Sequence, residues 1–438
     1  MDTLEAVNVV LISTYELGHD PFGLASPKAW LAREGHAVRA VDLAVEGLPE
    51  EAIREAGMIA FYLPMHTATR LAVPVIERVK RLNPAARLAA YGLYAPINAE
   101  LLRSVGIDAI AGGEFEAALV KIARGEEVSP VSLDRLQFVV PERGGGSEKY
   151  AMLRVGAESK RVAYTEATRG CKHLCRHCPV VPVYNGTFRV VQADVVLGDI
   201  RQQVAAGASH VTFGDPDFFN GPAHAMRIVN ALHSEFPSVS YDATIKIEHL
   251  LKHRDLLGTL RDTGCAFIVS AVESVDDEVL ARLEKNHTRR DFYEAVQLTR
   301  DVGLVLQPTF IAFTPWTTIE SYGDLLRVLA ELQLTENVAS VQLVLRLLVT
   351  SGSRLLELAE LKVGAFDAKS LVYPWKHPDA EVDALARRAF RLVDALQKQG
   401  RTRSEIFREI AELAGMPLEN FDLIPRAAVP YLDEPWYC

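Results

Sequence analysis

Short apolar runs alternate with amphipathic stretches along the first 125 residues of the chain. Five apolar runs predict buried strands at 7–12, 37–43, 58–63, 87–91 and 107–111. Stretches with helical periodicity follow them at 26–34, 49–56, 68–82, 98–105 and 116–124. Strands and helices that alternate at this spacing indicate parallel pairing. The pattern therefore predicts a doubly wound, Rossmann-like α/β sheet, whose ligands bind beyond the carboxyl ends of the strands.

A second alternation of strands and helices begins near residue 161. Its predicted strands are 162–166, 210–213, 238–242, 267–271, 304–313 and 338–348. Its predicted helices are 193–206, 223–235, 254–263, 276–284, 290–302 and 321–332. Six such units predict a partial (β/α)6 barrel of the TIM type, with the chemistry on the loops that follow the strands.

Composition shifts divide the chain into four parts. Residues 1–125 form the first α/β domain, and 126–160 read as a linker because they lack periodicity and contain Pro130, Pro141 and the run 144–147. Residues 161–375 form the barrel, and 376–438 form a small helical region with an extended tail. In that last region the pattern predicts one helix over 379–399 and a second helix capped by Ser404.

Composition and charge exclude several classes of protein. The chain has 438 residues, of which 49% are hydrophobic and 24% charged, so it is not a disordered or fibrous protein. Its net charge of −10 argues against a sequence-independent nucleic-acid binder. It has no apolar run of the roughly 18 residues that a membrane span needs, and its N-terminus lacks the positive region of a signal peptide. We expect a soluble cytoplasmic protein without a membrane or nucleic-acid partner.

Three of the five cysteines lie together, as Cys171, Cys175 and Cys178, in a Cys-x3-Cys-x2-Cys spacing after the first barrel strand. Thiolates are soft ligands that suit zinc or iron–sulfur clusters. No fourth cysteine is nearby, and three ligands would leave one iron of a 4Fe–4S cluster open, as in a catalytic site. The alternative is a zinc ion held by the three cysteines with His173 or His177.

This cysteine motif resembles the cluster motif of radical S-adenosylmethionine (SAM) enzymes. The resemblance implies that Cys171, Cys175 and Cys178 hold a 4Fe–4S cluster whose open iron chelates SAM. It also implies reductive cleavage of SAM to a 5′-deoxyadenosyl radical, with an electron supplied by a partner such as flavodoxin or ferredoxin. The position before the third cysteine is usually aromatic in that superfamily. Here it is His177, whose ring we expect against the adenine of SAM.

Two further segments are similar to landmarks of the superfamily. Gly214 and Asp215, after the second barrel strand, resemble the Gly-Gly-Glu motif, which implies that Asp215 holds the amino group of SAM. The alternative is that Asp215 only caps a helix. Polar residues of several barrel strands are candidates to face the substrate: Lys246, Glu248, Gln307, Thr309, Gln342 and Arg346.

The fourth barrel strand carries the second landmark. Ser270 and Glu273, followed by Lys285, resemble the Glu-Ser and Lys-Gly-x-Thr pattern of the superfamily. The resemblance implies that Ser270 and Glu273 face the ribose or the carboxylate of SAM. The alternative for Glu273 is a salt bridge with Lys285 or Arg289 at the barrel mouth.

The first domain resembles the cobalamin-binding domain of cobalamin-dependent radical SAM enzymes. Its closing segment 112–116, Gly-Gly-Glu-Phe-Glu, is similar to the end of those domains, and Gly92 stands where glycines approach the corrin tail. An Asp-x-His-x-x-Gly motif is absent from the sequence, which leaves His19 and His66 as candidate cobalt ligands, with surface or loop roles as the alternative. The resemblance implies bound cobalamin and methyl transfer.

The tail and several short strings resemble one subfamily, the radical SAM proteins with a Cys-Sec-Ala-Glu-Pro or Cys-Cys-Ala-Glu-Pro (CUAEP/CCAEP) tail. The chain ends Glu434-Pro435-Trp436-Tyr437-Cys438, where such a tail would begin. From this we expect Trp436 and Tyr437 to dock the tail, and Cys438 to be half of a redox pair whose selenocysteine partner is lost by truncation. The alternative is that Cys438 belongs to a dispensable, exposed terminus.

Three functions compete on these features. The first is a radical SAM enzyme with cobalamin-dependent methylation of an unactivated carbon or phosphorus. The second is a radical SAM enzyme that does not methylate and whose first domain does not bind cobalamin. The third, from another class, is a non-catalytic metal-binding protein.

Overall fold

The computed structural model describes residues 6–144, 148–416, 423 and 429–434. In this part of the chain the first sheet has six parallel strands, in the order β2-β1-β3-β4-β5-β6. Its strands are β1 (Asn8–Ser13), β2 (Ala37–Asp42), β3 (Met58–Tyr62), β4 (Arg87–Tyr91), β5 (Ala109–Gly113) and β6 (Val131–Ser132). Its helices are α1 (Phe22–Arg33), α2 (Glu50–Glu55), α3 (His66–Leu82), α4 (Tyr94–Ile97), α5 (Ala99–Ser104) and α6 (Glu116–Ala123).

The predicted doubly wound sheet is confirmed, and its packing explains the apolar runs. One apolar cluster, with Ile12, Phe61 and Ile76, covers one face of the sheet. A second cluster, with Leu11 and Tyr91, covers the other face. Parallel strands buried on both faces read as continuous apolar runs, which is why β1, β3, β4 and β5 stand out in the sequence. Strand β2 is at the sheet edge and is partly exposed.

The second sheet is a curled half-barrel. Its described strands run in the order β14-β13-β12-β11-β8-β7-β15. The strands from residue 152 onward are β7 (Met152–Val155), β8 (Glu158–Thr165), β9 (Thr168–Gly170), β10 (Phe188–Val190), β11 (His210–Phe213), β12 (Ser240–Thr244), β13 (Cys265–Glu273), β14 (Leu306–Phe310) and β15 (Tyr431–Leu432). Strands β8 and β11 to β14 are parallel, whereas β7 and β15 add antiparallel edges, and β9 with β10 forms a separate antiparallel pair.

The remaining α-helices cover the outside of the half-barrel or follow it. They are α7 (Val181–Tyr184), α8 (Ala193–Ala205), α9 (Pro222–Glu235), α10 (Ile247–Lys252), α11 (Leu257–Asp262), α12 (Asp277–Leu283), α13 (Arg289–Val302), α14 (Ile319–Glu331), α15 (Ala380–Lys398) and α16 (Arg403–Leu413). Short 3-10 helices lie at Phe218–Asn220, Arg254–Leu256, Ser340–Leu343 and Arg354–Glu357. No helix within the described ranges has both the length and the apolar character to cross a membrane.

The expected sixth barrel strand, 338–348, is wrong. This segment forms a 3-10 helix, Ser340–Leu343, and shares only one parallel bridge, at Arg346, with the chain beyond β14. Side chains take the place of a strand backbone at this edge. Asn337 Nδ2 donates to a β14 carbonyl at 2.8 Å, and Gln342 Oε1 accepts from a β14 amide at 3.1 Å. Because these side chains satisfy the edge of β14, no sixth strand is needed there.

The predicted helical C-terminal region is present as α15 and α16. The predicted cap of the second helix is wrong by two residues, because Thr402 and Glu405, not Ser404, form a reciprocal capping box. Beyond α16, strand β15 pairs with β7 and extends the second sheet. The expectations for Trp436, Tyr437 and Cys438, and the part of the predicted linker at 145–147, lie outside the described residues.

Candidate functional site

The three predicted cysteines lie on one loop after β8. Cys171 follows β9 directly, and Cys175 and Cys178 precede α7. Gly170 has φ +76°, and a Cβ there would lie 2.5 Å from the carbonyl oxygen of Thr187, so this turn requires glycine. Cys171 and Cys175 are buried, Cys178 is half-buried, and all three are unpaired. The loop therefore presents three free thiols at the carboxyl end of the half-barrel.

The electrostatics of this loop fit a metal cluster. Burial raises the pKa of the Cys171 thiol, and burial with the neighbouring thiols raises the pKa of Cys178 to about 12. The Nζ of Lys246 donates to the Sγ of Cys175 at 3.8 Å. One ammonium cannot balance three thiolates in a buried site. Soft cations such as iron supply the missing positive charge, so this donor set fits an iron–sulfur cluster.

The histidines beside the cysteines point to other partners. His173 lies 3.6 Å from a carboxylate oxygen of Asp217, and Cys171, His173 and Asp217 offer ligand atoms within 4.8 Å of one another. That set contains one of the three cysteines, so it does not favour zinc held by all three with His173. The Nε2 of His177 lies 3.2 Å from Glu273, and His177 is not part of that set.

Asp215 fastens the loop after β11 to the segment that leads into the cysteines. Its Oδ1 accepts from the Ala167 amide at 2.8 Å, and its Oδ2 accepts from the Thr168 hydroxyl at 2.5 Å. Burial raises the pKa of this carboxyl to about 7. Asp215 caps no helix, because Asp217 caps the 3-10 helix that follows. At Gly214 a Cβ would lie 2.2 Å from the Tyr164 hydroxyl, so only glycine admits that contact.

Glu273 ends β13 in the left-handed region, with φ +70°. Its Oε1 lies 3.4 Å from Lys285 Nζ and 3.2 Å from His177 Nε2. Burial raises the pKa of this carboxyl, but Lys285 and His177 outweigh burial and lower it to about 2. Glu273 therefore forms a salt bridge with Lys285, which was the alternative to a role in binding SAM. Arg289 pairs with Asp324 instead.

Several buried polar atoms on β13 or soon after it lack a hydrogen-bond partner within the described part of the chain. They are the Oγ of Ser270 and both ring nitrogens of His287, which is 6% exposed. Burial, with Lys285 and Lys246 nearby, lowers the pKa of His287 to about 4, so its ring is neutral at pH 7. Buried polar groups normally have partners, so this group is suited to a polar ligand. His287 was not predicted as a site residue, although it stands in the segment after Lys285 that carried the resemblance.

A buried ion network joins the first sheet to the cysteine loop. Arg169 donates to both oxygens of Glu116, at 2.8 and 2.7 Å, and to Glu166 at 2.6 Å. Glu114 accepts from the Tyr184 hydroxyl at 3.0 Å. The acidic end of the predicted cobalamin-like segment therefore contacts the residue two positions before Cys171. Arg169 was not predicted as a site residue. Its position, two residues before Cys171, is the feature of the sequence that could have indicated it.

A cavity of about 210 Å³ lies between the carboxyl ends of the two sheets. Gly92 and Gly113 both line it, so backbone forms part of the wall on the side of the first sheet. Gly92 has φ +98°, and a Cβ there would lie 3.0 Å from the carbonyl oxygen of Leu63. The neighbouring backbone therefore requires glycine at this position.

Both candidate cobalt ligands already have partners. The Nε2 of His66 is 2.7 Å from the Ser370 carbonyl oxygen. The Nε2 of His19 is 3.0 Å from Glu434, and its ring stacks on Tyr164 with centroids 4.8 Å apart. The structure therefore places these two histidines in loop and tail contacts.

A second cavity, of about 260 Å³, collects some of the polar barrel residues. Gln307, Thr309 and Gln342 line it, together with Gly214 and Asp215. The other candidates lie elsewhere. Lys246 contacts Cys175, Glu248 lies 3.6 Å from His173, and Arg346 pairs with Asp383 at 2.7 Å.

Comparison with known proteins identifies the domain that carries the cysteines. Residues 165–328 match the family model of the Radical SAM superfamily. A hopanoid C-3 methylase from Methylococcus capsulatus is 24% identical over 322 residues, which are 68% of this chain and 62% of that protein. The ribosomal protein uS12 methylthiotransferase RimO of Parabacteroides distasonis is 24% identical over 200 residues, 42% of this chain and 45% of that protein. The chain thus spans less than two thirds of these curated relatives.

Two solved structures share the fold of nearly the whole chain. The cobalamin-dependent SAM radical enzyme OxsB, with aqua-cobalamin and SAM bound, has a TM-score of 0.67 at 13% identity and covers 90% of this chain and 67% of its own. The radical SAM methyltransferase TsrM from Kitasatospora setae, with cobalamin and a 4Fe–4S cluster bound, has a TM-score of 0.63 at 14% identity. It covers 93% of this chain and 99% of its own. The predicted order of a Rossmann-like sheet before a half-barrel is confirmed.

Proposed function

The chain carries a radical SAM domain at residues 165–328, and on that premise we propose that it is a radical SAM methyltransferase. In this proposal it uses a 4Fe–4S cluster and cobalamin to methylate an unactivated carbon or phosphorus. Support comes from the methylase and methyltransferase relatives and from the shared fold of OxsB and TsrM. The observation that carries the proposal is the loop of three unpaired, largely buried thiols at the carboxyl end of the half-barrel.

Cys171, Cys175 and Cys178 would hold the cluster. When bound there, it supplies one electron to the sulfonium of SAM, which breaks a C–S bond. Lys246 stabilises the thiolate charge at Cys175, because its ammonium already contacts that sulfur. An external electron donor such as flavodoxin or ferredoxin completes the cycle.

The residues around the cysteines would bind and orient SAM. Ser270 and His287 offer buried polar atoms without partners, which suits the ribose hydroxyls and the carboxylate of SAM. Asp215 offers a carboxylate to the ammonium group, while its present hydrogen bonds keep the cysteine loop in position. His177, whose Nε2 lies 3.2 Å from Glu273, would contact the adenine with its ring.

The wall formed by Gly92 and Gly113 would receive cobalamin, which supplies a carrier for the methyl group. Met65 and Tyr164 line both cavities, so they stand between this wall and the interior of the half-barrel.

The contacts of His19 and His66 favour a second candidate function, in which the first domain does not bind cobalamin. Both histidines are engaged, so the described residues offer no free histidine to cobalt at this wall. A radical SAM enzyme whose first domain does not bind cobalamin is therefore the second candidate.

Anaerobic reconstitution with iron, sulfide, SAM and a reductant tests these functions. Methyl transfer predicts S-adenosylhomocysteine together with 5′-deoxyadenosine, and the former only when cobalamin is added. Cleavage of SAM without any effect of cobalamin would select the second candidate.

The cysteine assignment has its own test. Replacing Cys171, Cys175 and Cys178 with Ala should abolish the visible absorbance of the cluster and all cleavage of SAM. Cys265→Ala is the matched control, because Cys265 is a buried cysteine on β13 outside the loop. Full iron content in the triple variant would contradict the assignment and return the chain to the class of other metal-binding proteins.

A further inference from the structure

The larger cavity has walls from three separate parts of the chain. The loop after β1 contributes Glu16 and His19, the half-barrel contributes the polar ends of its strands, and the tail contributes Leu432 and Glu434. Strand β15 anchors the tail, and the Asp433 carboxylate accepts from Arg154 Nε at 2.6 Å. The cavity therefore lies at the junction of both sheets, beside the position proposed for SAM.

The charge of the lining is unbalanced. Its carboxyl groups are those of Glu16, Asp215, Asp242 and Glu434. The cationic side chains of the lining are those of Arg403 and, when protonated, His19. His19 is already paired with Glu434 at 3.0 Å. Asp242 is paired in turn with His210 at 2.8 Å. The carboxyl groups of Glu16 and Asp215 therefore lack a cationic hydrogen-bond partner among the described residues. A bound cation would stabilise their ionised forms, whereas an anion would oppose their ionisation.

Glu16 is the least satisfied of these carboxyl groups. Its Oε1 accepts from the hydroxyls of Tyr62 and Tyr164, each at 3.4 Å, whereas its Oε2 has no partner among the residues that the structure describes. The residue is 4% exposed. Burial, with Glu166 and Asp42 nearby, raises the pKa of this carboxyl well above its usual range. A cationic N–H donor beside Oε2 would stabilise the charged form.

The backbone next to Glu16 adopts a strained conformation. Leu17 adopts φ +51°, a left-handed conformation that is rare for a leucine, and Gly18 follows with φ +81°. The Gly18 carbonyl accepts from the Ala151 amide at 2.8 Å, and His19 N donates to Glu16 O at 2.9 Å. Strain of this kind persists where surrounding contacts enforce it, often at a ligand site.

A second free acceptor lies in the lining from the half-barrel side. Asn337 Nδ2 donates to the Leu306 carbonyl at 2.8 Å, which fixes the amide orientation and leaves Oδ1 without a partner. Asn337 is 3% exposed. The two unpartnered buried atoms of this lining, in Glu16 and Asn337, are therefore both hydrogen-bond acceptors.

We propose that this cavity binds a small organic cation, with an ammonium or amidinium group, whose N–H groups donate to Glu16 and Asn337. Naming this cation as the substrate rests on the proposed function, whereas the binding site itself does not. Neutral polyols and carboxylates of the same size lack the charge that the lining selects. The excess of carboxyl groups thus sets the substrate class.

Calorimetric titration of the reconstituted full chain tests this selectivity. The probes are 1,4-diaminobutane, 1,4-butanediol and succinate, which have equal chain lengths and differ in charge. A charge-assisted hydrogen bond predicts that the diamine binds at least about tenfold more tightly than the diol or succinate. Glu16→Gln should remove that preference, and Glu434→Gln should reduce it.

Glu100→Gln is the control, because Glu100 is an exposed carboxylate on α5 outside the cavity. Iron content and the thermal unfolding midpoint show that each variant is folded. Equal binding of the diamine and the diol, or a preference that survives in folded Glu16→Gln, would overturn the proposal. Cleavage of SAM without amine selectivity defeats this inference alone, whereas amine selectivity without cleavage defeats the proposed enzyme function alone.

Discussion

Replacing Asp215 with Asn should stabilise the protein near neutral pH while weakening its affinity for SAM. The carboxyl of Asp215 is 2% exposed and has no cationic partner among its hydrogen bonds. Asn keeps the same shape. Its Oδ1 can accept from the Ala167 amide, and its Nδ2 can donate to the Thr168 hydroxyl, so these two contacts can be kept.

The magnitude follows from the pKa of this carboxyl. Burial raises it from 3.8 to about 7, so between these values the folded state binds more protons than the unfolded state. The stability that Asp215 contributes is full below pH 3.8 and is lost as pH rises to 7. Between pH 5 and pH 7, at about 1.4 kcal/mol per pH unit, the loss is about 3 kcal/mol. Because the Asn side chain does not titrate, the stability of the variant does not decrease with pH in this way.

Urea unfolding of wild type and Asp215→Asn, at pH 5 and pH 8 and at matched iron content, measures the effect. The variant should gain about 3 kcal/mol relative to wild type between the two pH values. If Asp215 also receives the ammonium of SAM, the dissociation constant should rise by roughly one to two orders of magnitude. If the difference in unfolding free energy between the variant and wild type is the same at both pH values, the stability argument is refuted. An unchanged dissociation constant for SAM would leave Asp215 as a positioning residue only.

Two other buried ion pairs give predictions of the opposite sign. The pKa of Glu273 is lowered from 4.5 to about 2, so its charge stabilises the fold above pH 4.5 and that stability is lost toward pH 2. Glu273→Gln, which leaves Lys285 and His177 without a carboxylate, should cost about 3 kcal/mol of unfolding free energy at pH 7; a cost below about 1 kcal/mol would contradict the pairing. Arg143 donates to both oxygens of Asp199, at 2.7 and 2.8 Å, and both side chains are buried. Arg143→Met should cost about 3–5 kcal/mol in urea unfolding. Arg143→Met with Asp199→Leu should recover part of it, because the uncompensated Asp199 charge is gone while the carbonyls of Asp20 and Tyr164 still lose a donor.

Much of the fold could be predicted from local patterns. Strands buried on both faces, such as Met58–Tyr62, read as unbroken apolar runs, and glycines and prolines separate them from helices. The same rule failed at 338–348, where an equally apolar run forms a 3-10 helix. Periodicity cannot distinguish these outcomes, since the side chains of Asn337 and Gln342 satisfy the edge of β14 only in the folded protein.

The sequence by itself determined the cysteine loop, because the spacing of Cys171, Cys175 and Cys178 depends on neighbours within a few positions. Only the tertiary structure decided what surrounds it. Arg169 meets Glu116 across 53 positions, and Glu16 meets Tyr164 across 148. Such pairs leave no periodic signal, because their contact depends on how two sheets pack at their carboxyl ends. Burial then sets the charge and hydrogen bonding of Glu16, which no local pattern of residues could reveal.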